Sequence, residues 1–249
     1  MNRIGIVMKR DYRELRQAAA FRIILIVAAG ITAAAAIGIS IALGRQSWLG
    51  EPEARPLLDL FIGLVLYFLP FIVLLAFIWS FANLPVTKEK VNGNIEALMA
   101  TPLSPRDLWL GKSLSVFLPA YVVSIASSVI VVLAVNLGVL LPAAGVFALP
   151  VPALVLGLVV NPLMFLALLL FMILFSLANN PDIALAPSFL IGFGLMMGMP
   201  VGLALDIFDI ASWGFTLWYL LGTAALMAVV LCLTRLLTRQ GIVLSSKGS

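Results

Sequence analysis

The chain has 249 residues, of which 63% are hydrophobic and only 10% are charged, and its formal net charge is +4. A soluble domain carries about 25% charged residues, so this composition excludes a water-soluble globule and indicates an integral membrane protein. The absence of histidine and the presence of a single cysteine exclude histidine-based catalytic triads, HExxH metal sites and internal disulfide bonds.

The segment before the first apolar run, residues 3–19, predicts an amphipathic helix. Its apolar residues fall on one side at 100° per residue, and Asp11 is a misfit in that pattern. The opposite side carries four cations: Lys9, Arg10, Arg13 and Arg16. We expect an elbow helix in the membrane interface with these cations near anionic headgroups. The alternative is a basic topology signal without further structure.

Six stretches are long and apolar enough to cross a bilayer, which takes about 20 residues as a helix. They do not alternate in polarity, which favours helices over a β-barrel. The predicted spans are roughly 21–44, 57–83, 113–140, 150–178, 183–205 and 213–237. The expected fold is a single all-α transmembrane domain over residues 1–249.

The basic residues predict the orientation of the chain. With six spans both termini lie on one side, and that side holds thirteen of the fifteen Lys and Arg residues, all except Arg45 and Arg55. The positive-inside rule therefore places both termini and the 84–112 loop in the cytoplasm. The same distribution accounts for the net charge, so we expect no nucleic-acid partner.

For one connection in this topology the sequence allows three structures. Between the fifth and sixth spans, residues 203–212 carry Asp206 and Asp209, which are too polar for the middle of a bilayer. This segment is a short helix, a re-entrant turn or an ordinary turn on the outer side.

The spans lack the groups that usually perform membrane chemistry. None carries a charge near its centre, whereas ion pathways and proton relays normally do. The hydroxyls and the Asn161 amide within spans are expected to form helix-packing hydrogen bonds worth about 0.6 kcal/mol each. No GxxxxGK[ST] phosphate loop is present. The chain is therefore not expected to be an enzyme by itself, and any uphill transport needs an external energy source.

The loop after the second span, KEKVNGNIEALMATPLSPRDLWLGKSL, is the most charged interior stretch of the chain. Residues 89–100 predict a helix with an apolar stripe formed by Val91, Ile95, Leu98 and Met99. This stripe favours a docking surface over a merely solvated loop.

Two signals bound that helix and start the next one. Thr101 before Pro102 ends the first helix, because the residue before proline avoids the α region. Ser104 then caps a new helix, with Pro105 at its first position and Asp107 completing an acidic capping box. The new helix leads into the third span.

This loop resembles the signature of ABC-2-type transporter permeases. Family members commonly show EKExGTLExLLxTPLS followed by a Gly-Lys pair, and Gly111-Lys112 matches that pair. Val91 and Asn94 stand where Glu and Thr are common. The matching residues of the loop are Glu89, Gly93, Glu96, Leu98, Thr101, Pro102, Leu103 and Ser104. This motif covers about 25 residues, and the wider resemblance in topology covers the whole chain.

The resemblance implies the membrane subunit of an ATP-binding-cassette exporter in a prokaryotic cell membrane. Two six-span units, identical or related, would meet in the bilayer, and each would receive a separate ATPase that binds ATP and Mg²⁺. Residues 89–100 would be the coupling helix in a cleft of the ATPase, and the elbow helix would border the same partner. The implied coupling residues are Glu89, Gly93, Ile95, Glu96, Leu98, Met99, Thr101 and Pro102. Glu96 would make polar contacts, while Ile95, Leu98 and Met99 would pack against the partner.

ATP-driven closure would rock the first three spans and switch a central cavity between the two sides. Spans two and five would line the substrate path with Phe68, Phe71, Met196 and Met197. Such a lining suits a lipid, a drug or another amphipathic molecule. The alternatives are a haem-exporter-type permease of cytochrome c maturation and a non-transport assembly or scaffold protein. A neighbouring gene for a soluble ATPase would favour a transporter.

Overall fold

The computed structural model describes residues 3–81, 86, 89, 94–178, 181–238, 240 and 242, with the backbone alone at 50, 52, 94, 96, 99 and 181–188. All regular structure in these residues is helical, and they contain no strand. The predicted all-α class is therefore confirmed for this part of the chain. In lipid a helix satisfies its backbone polar groups internally.

Eight helices follow one another along the described chain. They are α1 (Arg3–Gln17), α2 (Ala19–Gly44), α3 (Arg55–Phe81), α4 (Asn94–Ala100), α5 (Pro105–Ala144), α6 (Val151–Ala178), α7 (Pro181–Ala204) and α8 (Trp213–Leu236). Helices α5 and α6 each contain a π-helical turn, at Asn136–Leu140 and Leu156–Val160 respectively. Two short 3₁₀ turns connect α2 to α3.

Five of the described helices are long and apolar enough to cross a membrane: α2, α3, α5, α6 and α8. Their ends agree with the predicted spans to within a few residues, except that α5 begins at Pro105, well before the predicted start at 113. Helix α7 has 24 residues, and within it Phe189–Ala204 forms a shorter apolar segment. The membrane character is confirmed, and the count of six spans stays a prediction.

The helices form an inner and an outer set. The most apolar stretches of α3 and α6 are 72% and 67% buried, whereas those of α2 and α8 are only 11% and 22% buried. The inner helices pack closely because Gly157 in α6 faces the backbone of α3. A Cβ atom at Gly157 would lie 1.9 Å from the carbonyl oxygen of Leu66.

The corner before α5 folds as predicted. The Ser104 hydroxyl accepts a hydrogen bond from the Asp107 amide at 3.1 Å, and the Asp107 carboxylate accepts one from the Ser104 amide at 3.1 Å. Pro105 occupies the first turn, where its missing N–H costs nothing. This capping box fixes the point at which the chain enters its longest helix.

The connection between α7 and α8 is a turn, so the short-helix alternative for 203–212 is wrong. Asp206 adopts a left-handed conformation with φ 51°, which aspartate tolerates better than most residues. Ile210 is buried against the bundle. The Ser212 side chain caps α8 by accepting a hydrogen bond from the Phe215 amide at 3.2 Å.

Candidate functional site

Four charged side chains meet where α1, residue 89 and the second turn of α5 come together. The Lys112 ammonium lies 3.1 Å from Asp11 Oδ2 and 2.7 Å from Glu89 Oε2. The Arg10 guanidinium contacts both carboxylates and lies 2.8 Å from Asp11 Oδ1. We call Arg10, Asp11, Glu89 and Lys112 the charge cluster. It connects three parts of the chain that are distant in sequence.

Helix α1 delivers Asp11 into the interior. Its buried residues are Val7, Asp11 and Leu15, which follow one another at four-residue intervals and so share one face. Asp11, the misfit in the apolar pattern, therefore lies in the middle of the buried stripe. Arg10, predicted to face lipid headgroups, instead turns toward the two carboxylates, and that part of the prediction is wrong.

Gly111 allows α1 to approach α5 closely enough for the cluster to form. A Cβ atom at this position would lie 2.7 Å from the Val7 Cβ atom and 3.2 Å from the Ile4 carbonyl oxygen. Any larger residue would push α1 away. The next residue, Lys112, then reaches Asp11. The Gly-Lys pair thus has a direct physical explanation in this chain.

The cluster is neutral as a whole and largely shielded from solvent. Lys112 is 0% exposed and Asp11 is 4% exposed, so neither charge could be tolerated there without partners. Burial alone would lower the pKa of Arg10, but the carboxylates of Asp11 and Glu89 together raise it above its ordinary value. The Arg10 guanidinium therefore stays charged beside the two carboxylates.

A second contact connects α1 to the corner before α5. The Arg3 guanidinium donates a hydrogen bond to the Pro102 carbonyl oxygen at 2.8 Å. The Thr101 hydroxyl donates to the Leu98 carbonyl oxygen at 2.6 Å and closes the end of α4. Thr101 and Pro102 were implied as coupling positions, and the structure places them at the contact between α1, α4 and α5.

The apolar stripe of the loop helix is directed inward. Ile95 is fully buried in the chain's own core, and Leu98 packs partly against that core. Ile95 is therefore not available to pack against a partner in this structure, contrary to the expectation. Among the α4 side chains that the structure describes, those of Ala97 and Ala100 are exposed. Val91 and Gly93 lie outside the described residues, as do the side chains of Glu96 and Met99.

The remaining elbow cations are exposed, and their position near lipid headgroups stays a prediction. Lys9, Arg13 and Arg16 are exposed on α1. They are positioned on the side of the helix away from its buried stripe, where headgroups of a bilayer would lie.

The predicted substrate-path residues differ in their burial. Phe71 is buried in the core, where its ring contacts Phe165 at a centroid distance of 4.9 Å. Phe68 and Met196 are partly buried, whereas Met197 is 58% exposed. The expectation that Phe71 lines an open path is wrong for this conformation, because aromatic neighbours enclose it.

The polar side chains within the spans divide into two kinds. Asn161 donates to the Tyr67 carbonyl oxygen at 3.0 Å and accepts from the Tyr219 hydroxyl at 2.9 Å, so it joins α3, α6 and α8. The hydroxyls of Ser124 and Ser128 instead donate to carbonyl oxygens of their own helix. The expected helix-packing role is therefore confirmed for Asn161 and not for these two serines.

Sequence reasoning missed the charge cluster as a unit. The available signals were an acid on the apolar face of an amphipathic helix and a lysine directly after a glycine at the start of a span. In the residues that the structure describes, no group of three or more potential metal ligands is found. No protein-family model, no curated protein and no solved structure matches this chain.

Proposed function

We propose that the chain is the permease subunit of an ABC-2-type exporter with six spans and both termini in the cytoplasm of a prokaryote. A separate ATPase subunit would bind ATP and Mg²⁺ and supply the energy, and a second permease copy or related chain would complete the path. The chain itself would carry no catalytic residue.

The charge cluster is the observation that carries this proposal. Glu89 and the Gly111-Lys112 pair were matched to the permease signature from sequence alone. In the structure Glu89 and Lys112 form an ion pair with 2.7 Å between Nζ and Oε2, and Gly111 admits α1 beside them. Residues of the motif that are distant in sequence thus serve one physical contact.

This contact would transmit force from the cytoplasm into the bundle. Helix α5 runs from the capped corner through 40 residues, which corresponds to about 60 Å at 1.5 Å per residue. A displacement of α4 would reach α5 through the corner at 101–104 and α1 through the Arg3 contact. ATP binding would then shift the population between two arrangements of the spans.

The exposed side of α4 is the docking surface in this proposal. Because Ile95 faces the core, a partner must contact the opposite side, where Ala97 and Ala100 are exposed. Glu96 and Met99 stay predicted contact residues on the same helix.

Co-purification with the ATPase encoded beside this gene tests the proposal. Ala97→Asp adds a charge to the exposed side of α4 without disturbing buried groups. Ser47→Asp is the matched control, because it adds the same charge at an exposed position of the predicted outer loop. We expect the wild type and Ser47→Asp to retain the ATPase. The amount of ATPase that co-purifies with Ala97→Asp should be at least tenfold lower.

Each contrary outcome has a distinct meaning. If the wild type retains no ATPase, the permease proposal is contradicted and the assembly or scaffold alternative gains support. If Ala97→Asp retains the ATPase as well as the control does, α4 is not the docking surface. Thermal unfolding of all three proteins shows whether a loss of binding reflects a loss of fold.

A further inference from the structure

A groove of ≈ 850 Å³ lies between α1, the first turns of α2 and the cytoplasmic half of α5. This volume falls within the usual range of about 300–1,000 Å³ for ligand sites. We propose that the groove binds one anionic phospholipid of the inner leaflet, with the acyl chains along its floor and the phosphate at its basic rim. The proposal requires that the chain lies in a membrane with α1 on the cytoplasmic side, and it does not depend on transport.

The floor of the groove is apolar. It is formed by α2 and α5 through Leu25, Leu118, Pro119, Val122 and Val123. Leu118 and Val122 are exposed although they are apolar, as expected for side chains that face acyl chains rather than water or protein. The floor continues the outward apolar surface of α5, so lipid can enter from the bilayer.

The rim of the groove is basic. Lys9 and Arg16 from α1 and Arg22 from α2 line it together, and all three are exposed. Within the described part of the chain no carboxylate forms a salt bridge with them. In these residues their positive charge thus has no ion-pair partner, unlike that of Arg10 and Lys112 in the charge cluster.

The combination of floor and rim selects the ligand class. A zwitterionic lipid would fill the floor but gain less from three cations than an anionic lipid does. A soluble phosphate would reach the cations but leave the apolar floor empty. Tyr12 also lines the groove, and an amphipathic ring of this kind suits the headgroup level. An anionic phospholipid uses all of these features at once.

The test is native mass spectrometry of the full chain with phosphatidylglycerol and phosphatidylcholine at equal concentrations. The groove variant combines Lys9→Gln, Arg16→Gln and Arg22→Gln. The control variant combines Arg13→Gln, Arg106→Gln and Arg235→Gln, which removes the same charge from exposed positions outside the groove. A third protein, Val122→Trp, partly fills the floor and leaves every cation in place.

We expect the wild type and the control to prefer phosphatidylglycerol. In the groove variant the ratio of bound phosphatidylglycerol to bound phosphatidylcholine should fall by about tenfold or more. Val122→Trp should reduce binding of both lipids. Added glycerol phosphate should not displace the lipid. The proposal is overturned if the wild type shows no preference, if the groove variant behaves like the control, or if Val122→Trp binds both lipids like the wild type. Displacement by glycerol phosphate would also overturn it and would indicate a headgroup site.

Discussion

One end of the bundle and its middle are stabilised by different interactions. At the predicted cytoplasmic end, α1, residue 89 and α5 meet through four charged side chains in mutual contact. In the middle, α3, α6 and α8 meet through aromatic rings and one amide, with Tyr67 and Tyr219 both bonded to Asn161. The first contact depends on charge pairing, and the second depends on shape.

We expect this difference to separate a part that can rearrange from a part that stays packed. Ion pairs can be exchanged one at a time if a partner offers a substitute charge, whereas a close-packed core changes only by repacking. Helix association in lipid rests on packing rather than on the hydrophobic effect, so the inner helices need close backbone approach. We therefore expect signals from the cytoplasm to act on the charge cluster while α3 and α6 stay together.

The largest expected effect comes from breaking the close packing in the middle. Gly157→Ala places a Cβ atom against the Leu66 backbone, and we expect a loss of more than about 4 kcal/mol or a failure to fold. Gly138→Ala is the matched control, since it lies in the other π turn with nothing within 4 Å. The free energy of unfolding in mixed micelles is measured for both variants. Equal stability of the two variants would contradict the packing argument.

The next effect comes from breaking the charge cluster. Lys112→Met removes the ammonium that lies against the buried carboxylate of Asp11 and the partly buried carboxylate of Glu89, and we expect a loss of about 3–5 kcal/mol. Arg106→Met, at an exposed position of the same helix, should change stability by less than about 0.5 kcal/mol. The measurement is again unfolding in mixed micelles. A small loss for Lys112→Met would show that the cluster is not compensated as described.

A double-mutant cycle sharpens this result. Asp11→Asn combined with Lys112→Met should cost less than the sum of the two single losses, with a coupling of about 0.5–3 kcal/mol. A coupling near zero would mean that Asp11 and Lys112 act independently despite their 3.1 Å distance.

A smaller effect is expected at the corner. Ser104→Ala removes the capping hydrogen bond to the Asp107 amide and should destabilise the chain by about 1 kcal/mol. The control is Ser47→Ala, because the structure describes no cap by that hydroxyl. Thermal unfolding of the purified chain distinguishes the two, and identical melting would argue against a structural role for the cap.

The smallest effect is expected from the polar bond in the middle of the bundle. Tyr219→Phe removes the hydroxyl that donates to Asn161, which should cost about 0.6 kcal/mol. Tyr12→Phe, at an exposed ring on α1, should be neutral. A loss of several kcal/mol for Tyr219→Phe would show that polar bonding, rather than shape, holds the middle together.

Local signals in the sequence predicted the helices well. Apolar runs and caps depend on neighbouring residues, so the ends of α2, α3 and α6 and the Ser104 cap were found within a few positions. The cap at Ser104 and Pro105 predicted a helix that leads into the third span, whereas the apolar run alone placed the start of that span at 113, after the charges of Arg106 and Asp107. Continuous backbone bonding, which hydropathy does not report, joins that helix and the span.

The site was predicted only in part, because its contacts are distant in sequence. Asp11 and Lys112 are 101 positions apart, and no periodic pattern relates an acid on one helix to a lysine on another. Ile95 was correctly predicted to lie in a helix, but the apolar stripe of that helix does not indicate whether it faces the chain's own core or a partner. Burial of Phe71 depends on Phe165, which lies in another span.

Photo-crosslinking from the exposed side of α4 in native membranes tests the central claim most directly. With the only cysteine removed by Cys232→Ser, Ala97→Cys can carry a maleimide-linked photoreactive group, and Ser47→Cys serves as the control. The account predicts that illumination captures from Ala97→Cys a protein with a GxxxxGK[ST] sequence, identified by mass spectrometry, and nothing of that kind from Ser47→Cys. Capture of no such ATPase from Ala97→Cys, or equal capture from both positions, would contradict it.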